Sequence, residues 1–234
     1  GQWFGLGAVS LNLAGAVGES QFVALCDNRH PTEDRKLTQR TNLFRRDPDG
    51  SAENRRIFYD FTFSPPKSVS VIGLVGEDSG VLIAHERAVR VALGEFEAFA
   101  ATRVRKGGEN GVRQTGNVVA ALFTHETSRA LDPHLHTHCV VLNATFDSVE
   151  RQWKAIQNQD MLRARKFAEG VYYHELARDL REAGYQIRSG EKGGFEIVGV
   201  RKEVCENFSK RHQQIDRAQN ELLRRRPELL EGNQ

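Results

Sequence analysis

An α+β fold, with an antiparallel sheet forming a palm and helices flanking it, follows from two periodicities in one chain. Residues 57–63, 117–124 and 139–143 are rich in β-branched and aromatic side chains and have the length of strands. Residues 81–103 and 160–183 instead repeat apolar positions at helical spacing. The chain has 234 residues, 39% of them hydrophobic, enough to bury a sizeable core. The expectation is a single domain over 1–234 with five to seven strands in one sheet, and a C-terminal helical extension from about 201.

Composition narrows the class. No run of eighteen apolar residues occurs, so no membrane span is expected. The opening Gly1-Gln2-Trp3-Phe4-Gly5 is neither a signal peptide nor a Met start, so an extreme N-terminal segment is expected to lie outside this sequence. Cys26, Cys139 and Cys205 are dispersed with no CxxC spacing, which suits a reducing, cytoplasmic setting. The net charge of +2 says little about partners. Local charge says more. Arg151, Lys154, Arg163, Arg165 and Lys166 face Asp160 alone in their segment. A second basic stretch runs from Arg29 through Arg35, Lys36, Arg40, Arg45 and Arg46 to Arg55 and Arg56. Both are compatible with phosphate-backbone contact. Arg224-Arg225-Arg226 in the basic tail reads as a solvated helix end.

In order, the Gly/Ala-rich residues 1–18 read as loop plus a short helix, and 19–25 as a helix. Asp47-Pro48-Asp49-Gly50 is a turn. The strand at 57–63 puts Ile57, Tyr59, Phe61 and Phe63 on one face and Phe58, Asp60 and Thr62 on the other. A mid-strand carboxylate is costly unless it has a partner or faces a cleft or solvent. Ser64-Pro65-Pro66-Lys67-Ser68 then predicts a helix over 67–75 with Ser64 as cap. Its N-terminus, with Lys67 and Ser68, reads as an anion seat. Ser79 is the expected cap of the 81–103 helix. After the 139–143 strand, 153–156 reads as a strand, and Asp160 opens a helix ending at Gly184 with Met161, Ala164, Ala168, Tyr172, Leu176 and Leu180 inward. A hairpin at 185–200 and one last amphipathic helix, marked by Val204, Phe208, Ile215 and Leu222, complete the chain.

The segment that carries chemistry is 123–138. It holds His125, His134, His136 and His138, four of the eight histidines. His136 and His138 share one strand face because side chains alternate. A hairpin turning at Asp132-Pro133 would set His125 opposite them. Three converging imidazoles can bind a divalent metal and leave positions open for water or phosphate. His134 reads as rim to that site.

Two segments carry a family resemblance. Asp60-Phe61-Thr62-Phe63-Ser64-Pro65-Pro66-Lys67-Ser68-Val69-Ser70 resembles the D-x-T-F-S-x-P-K-S-V-S segment of MobF-class conjugative relaxases, of the TrwC and TraI type. His125-Glu126-Thr127-Ser128-Arg129 followed by Asp132-Pro133-His134-Leu135-His136-Thr137-His138 resembles the three-histidine motif of the same class. The resemblance implies an HUH-type fold and a metal-dependent, strand-specific endonuclease that nicks and rejoins single-stranded DNA at a plasmid transfer origin through a 5′-phosphotyrosine. It implies His125, His136 and His138 as metal ligands, and Asp60 as the carboxylate that orients one of them and assists the tyrosine. Mg²⁺ or Mn²⁺ would serve, with Zn²⁺ or Ni²⁺ as alternatives. Lys67, Ser68, Arg129 and Lys154 are the expected DNA contacts. Expected partners are origin DNA with its hairpin, other relaxosome proteins and a secretion coupling protein.

The family's nucleophilic tyrosines lie before the region where this chain begins, and Tyr59, Tyr172, Tyr173 and Tyr185 match none of them. Either the nucleophile lies outside this sequence or this form binds origin DNA without cutting. A rolling-circle initiator using Tyr172 or Tyr173 is a third reading, although helical spacing gives Tyr172 a core role. An unrelated three-histidine zinc hydrolase, acting on small esters without DNA affinity, is a fourth, and the Asp60 segment argues against it.

Overall fold

The computed structural model describes residues 1–39, 44–46, 52–54, 56–106, 108–190 and 193–225. The elements are β1 (Gln2–Phe4), α1 (Leu6–Ser10), α2 (Glu19–Cys26), β2 (Phe44–Arg46), β3 (Ala52–Asn54), β4 (Phe58–Phe63), α3 (Lys67–Leu74), α4 (Ser79–Glu97), β5 (Ala101–Lys106), β6 (Glu109–Gln114), β7 (Ala120–Thr127), β8 (Pro133–Leu142), β9 (Thr145–Asp147), β10 (Gln152–Lys154), α5 (Gln159–Arg163), α6 (Arg165–Glu182), β11 (Ile187–Ser189), β12 (Phe195–Ile197), α7 (Lys202–Asn207) and α8 (Lys210–Arg225). The expected turn at 47–50 and Arg226 lie outside the described residues.

The α+β class is observed, but the central antiparallel sheet has four strands, in the order β1-β7-β8-β4. The remaining strands pair as the ribbons β2–β3, β5–β6, β9–β10 and β11–β12. Ribbon β5–β6 begins with the buried Ala101 and Thr102, while β6 is exposed at every position but one.

One sheet face builds the main core. Phe63, Ala120, Leu122, Cys139 and Val141 pack against Val89, Leu93 and Phe96 of α4 and Tyr172, Leu176 and Leu180 of α6. Among the described residues, the opposite face is covered toward β1, where Trp3, Ala121 and Leu142 meet Leu11, Leu13, Leu25 and Leu37. That smaller core stops short of positions 60, 125, 136 and 138.

Several boundaries differ from expectation for local reasons. Strand β1 sits in the stretch read as loop, and Trp3 anchors it. Helix α4 ends at Glu97, and Thr102 and Val104 alternate within β5 instead of continuing the helix. Its cap is Asp78, whose carboxylate accepts from Gly80 N at 2.8 Å and Val81 N at 3.3 Å, not Ser79. Ser64 does not cap α3. Pro66 occupies that position at φ −53°, ψ 154°, because a residue followed by proline is driven extended, and two prolines follow Ser64. The helix opened near Asp160 breaks at Ala164 into α5 and α6, yet its inward residues are all buried and Gly184 ends it at φ 92°. The last helix is two, α7 and α8, parted at Phe208 and Ser209.

Candidate metal centre

The β7–β8 hairpin turns through residues 128–132. Ser128 N donates to Asp132 O at 2.9 Å, and the Ser128 hydroxyl accepts from Ala130 N and Asp132 N. The strands are longer than the sequence suggests, so the connection is short. In register, His125 stands opposite His136 and Phe123 opposite His138. β4 pairs with the other edge of β8, putting Thr62 opposite His138 and Asp60 opposite Val140. Alternation therefore places Asp60, Thr62, His125, His136 and His138 on the open face.

There the three imidazoles meet. Ring centroids are 5.3 Å apart for His125–His136, 5.4 Å for His125–His138 and 5.1 Å for His136–His138. One ligand nitrogen from each lies within 4.8 Å of the others. Two nitrogens on one zinc-like ion can be at most about 4.2 Å apart, twice a bond of about 2.1 Å, so small ring rotations close the set. His138 Nδ1 donates to Asp60 Oδ2 at 2.8 Å, with Thr62 Oγ1 at 3.2 Å from the same nitrogen. His136 Nδ1 donates to the His134 carbonyl at 2.9 Å. Both bonds use Nδ1 and leave Nε2 as the lone-pair donor, the usual way a ligand histidine's tautomer is set. The donor set fits a divalent transition metal.

Their surroundings favour the neutral form of His136 and of the neighbouring His134. Burial pushes the His136 pKa down, its hydrogen bond to His134 O opposes this, and the neighbouring His138 and His125 reinforce it. Burial, then His136 and Lys67, hold His134 at about 4. His134 stacks beside His136 with centroids 4.7 Å apart and contributes its carbonyl to the site, consistent with a rim position.

The expected DNA contacts separate. Arg129 is exposed at the hairpin tip. Lys67 is half-buried and its Nζ donates to Pro133 O at 3.0 Å, so it ties α3 to the hairpin. Ser68 is 1% exposed; its N–H donates to Glu196 Oε2 and its hydroxyl accepts from Ile197 N, so β12 fills the seat read as anion-binding. Lys154 pairs with Asp147 Oδ2 at 3.2 Å and Glu150 Oε2 at 2.6 Å, so its charge is neutralised. From the same basic segment, Arg163, Arg165 and Lys166 line a cleft of about 750 Å³ along β4.

The tyrosines take other places. Tyr172 is 1% exposed and bonded to His85 Nδ1, Tyr173 packs against Phe195, Tyr185 donates to Asp78, and Tyr59 lies on the face of β4 away from Asp60. Sequence reasoning missed Thr62, although alternation from Asp60 puts it on the same face, and His85, hidden in the apolar stripe of α4.

The sequence model of the TrwC relaxase family matches residues 1–232. The multifunctional conjugation protein TraI of Escherichia coli is 38% identical over 230 residues, 94% of this chain, and the TraI of strain K12 is 38% identical over 231. The chain spans 12% of the length of these curated relatives. Among solved structures, the metal-bound conjugative relaxase TrwC in complex with oriT DNA superposes at a TM-score of 0.83 with 39% identity, over 92% of this chain and 72% of that one. TrwC bound to a 27-mer DNA comprising the recognition hairpin and cleavage site gives the same score and identity, over 92% of this chain and 74% of that one. On the family match and these identities, this chain belongs to the TrwC relaxase family.

Proposed function

We propose that this chain is a relaxase domain that binds single-stranded transfer-origin DNA beside its hairpin and supports nicking and rejoining of one strand. The observation that carries the proposal is the cluster of His125, His136 and His138, with Asp60 holding His138 by Nδ1. His125, His136 and His138 hold a divalent metal, and of the ions expected, their three imidazole nitrogens suit Mn²⁺, Zn²⁺ or Ni²⁺ better than Mg²⁺. When bound, the metal offsets the charge of the scissile phosphate, which otherwise repels an anionic nucleophile.

The protein's own groups do the rest. Asp60 and the His134 carbonyl keep Nε2 of His138 and His136 aimed outward. Asp60 spends Oδ2 on His138, and its second oxygen accepts the proton of the attacking hydroxyl. A tyrosine needs such help because its ordinary pKa is near ~10. The four tyrosines of this sequence are engaged elsewhere, so the proposal assigns the nucleophile to none of them, and the buried Tyr172 weighs against the rolling-circle reading. Arg129 contacts the strand from the hairpin tip. Residues 201–225 form the helical extension of one unit with the palm. No helix among the described residues is long and apolar enough to cross a membrane, and the proposed setting is cytoplasmic, with relaxosome and coupling proteins as partners.

The test is fluorescence anisotropy with a labelled single strand carrying the transfer origin and its hairpin. Binding is expected to be at least tenfold tighter than for a scrambled strand. Mn²⁺ tightens it further only when the strand runs past the nick position, and His136→Ala removes that increment. Equal affinity for both strands contradicts the proposal.

A further inference from the structure

Behind the histidines, on the other face of the same two strands, a polar chain runs from the buried Tyr172, His85 and Thr137 to the exposed Thr124, and the proposed chemistry leaves it unexplained. The inward residues of β8 are Leu135, Thr137, Cys139 and Val141, all buried. Thr137, 2% exposed, sits between His136 and His138. Thr124 stands directly across from it, next to His125. The two hydroxyls are 2.9 Å apart, so this pair is one residue from all three imidazoles.

Thr137 Oγ1 is 2.8 Å from Nε2 of His85, which is 0% exposed in α4. Nδ1 of His85 is 2.8 Å from the hydroxyl of Tyr172 in α6. Burial holds the His85 pKa to about 4, so the ring is neutral, with one donor and one acceptor. Burial also raises the Tyr172 pKa, so the phenol keeps its proton. Of the two hydroxyls at the neutral His85 ring, one donates to it and the other accepts from it. These bonds link the helix layer to the hairpin.

We infer that His85 is a positioning residue for the metal centre. Through Thr137 and Thr124 it fixes how β7 and β8 seat on α4, and so sets the distance of His125 from His136 and His138. This rests on the metal-binding reading of the histidine cluster. Apolar side chains at these positions could fill the same volume, but apolar contacts tolerate sliding, whereas a 2.8 Å hydrogen bond has a direction. A ligand set that must close by a few tenths of an ångström benefits from that constraint. Groups that orient metal ligands from outside the coordination sphere typically change affinity or activity about 10- to 100-fold when lost.

The experiment is calorimetric Mn²⁺ titration of folded variants, beside the melting temperature of each metal-free protein. His85→Gln carries an amide nitrogen near the position of Nε2 and keeps the Thr137 bond. His85→Asn carries its polar group near Nδ1 and keeps the Tyr172 bond instead. Thr137→Val removes the hydroxyl at equal volume, and Thr137→Ser restores it. His85→Asn and Thr137→Val are expected to bind Mn²⁺ about tenfold or more weakly. His85→Gln, Thr137→Ser and Tyr172→Phe stay within about threefold of the parent, although Tyr172→Phe melts lower. Should His85→Asn not fold, the Thr137 pair decides alone. Parent-like affinity in Thr137→Val, or a loss in Tyr172→Phe as large as in Thr137→Val, overturns the inference, the latter because affinity would then follow stability. A parent that binds no Mn²⁺ overturns the metal reading itself, whereas a binding parent with unchanged variants overturns only this inference.

Discussion

Asp60 Oδ2 accepts a hydrogen bond from His138 Nδ1 at 2.8 Å, from one strand to the next. The bond joins the two segments that read most strongly as chemistry in the sequence, 60–70 and 123–138. The Asp60 carboxylate is tolerated in the strand because it faces solvent as well as this partner, and the bond fixes the tautomer of His138.

Asp60→Asn is expected to weaken Mn²⁺ binding about tenfold, within the usual range for such supporting groups, because the amide is a poorer acceptor for Nδ1–H. Calorimetry checks this. Parent-like affinity would show that Thr62 alone orients His138.

His85 makes stability depend on pH. Its folded pKa of about 4 lies below the ordinary 6.5, so between these values the unfolded chain binds the extra proton. Stability is therefore full above about pH 6.5 and falls as pH drops toward 4, by about 3 kcal/mol in total. His134, also held at about 4, acts in the same direction. Urea unfolding at pH 7 and pH 4.5 measures the loss, and His85→Gln should show a smaller one.

Asp147 has a side chain with 0% exposure, paired with Arg113 at 2.7 Å and Lys154 at 3.2 Å. Burial alone would raise its pKa, but hydrogen bonds from Arg113, the backbone and Lys154 outweigh it and bring the value to about 2. Asp147→Ala leaves the two cations without their buried partner and should destabilise by about 3 kcal/mol. Lys154→Ala should leave affinity for single-stranded DNA unchanged in the anisotropy assay, since its charge is already neutralised.

Arg129→Ala should weaken DNA binding to a similar extent for every sequence and reduce the slope of log K against log salt by roughly one phosphate contact. A salt titration of the anisotropy signal reads this directly. An unchanged slope removes Arg129 from the DNA interface.

Much of the palm was legible in the sequence because its signals are local. Alternation in β4 and the buried stripe of α6 need no tertiary information, and parity alone brings His136 and His138 together. What was not legible depends on packing. Residues 101–106 satisfy helical and strand periods alike, and only pairing with β6 decides between them. Ser68 reads as an anion seat until β12, distant in sequence, occupies it. Lys154 reads as a free cation until the turn after β9 folds Asp147 and Glu150 onto it. His85 carries no signal because a buried polar residue in an apolar stripe is recognisable only once its partners on β8 and α6 are in place.

The most direct test of the account is calorimetric titration of Mn²⁺ into the metal-free chain, beside His136→Ala. One site per chain in the parent and none in the variant is the predicted result. No binding by the folded parent, or equal binding by His136→Ala, would contradict the assignment of His125, His136 and His138 as a metal centre.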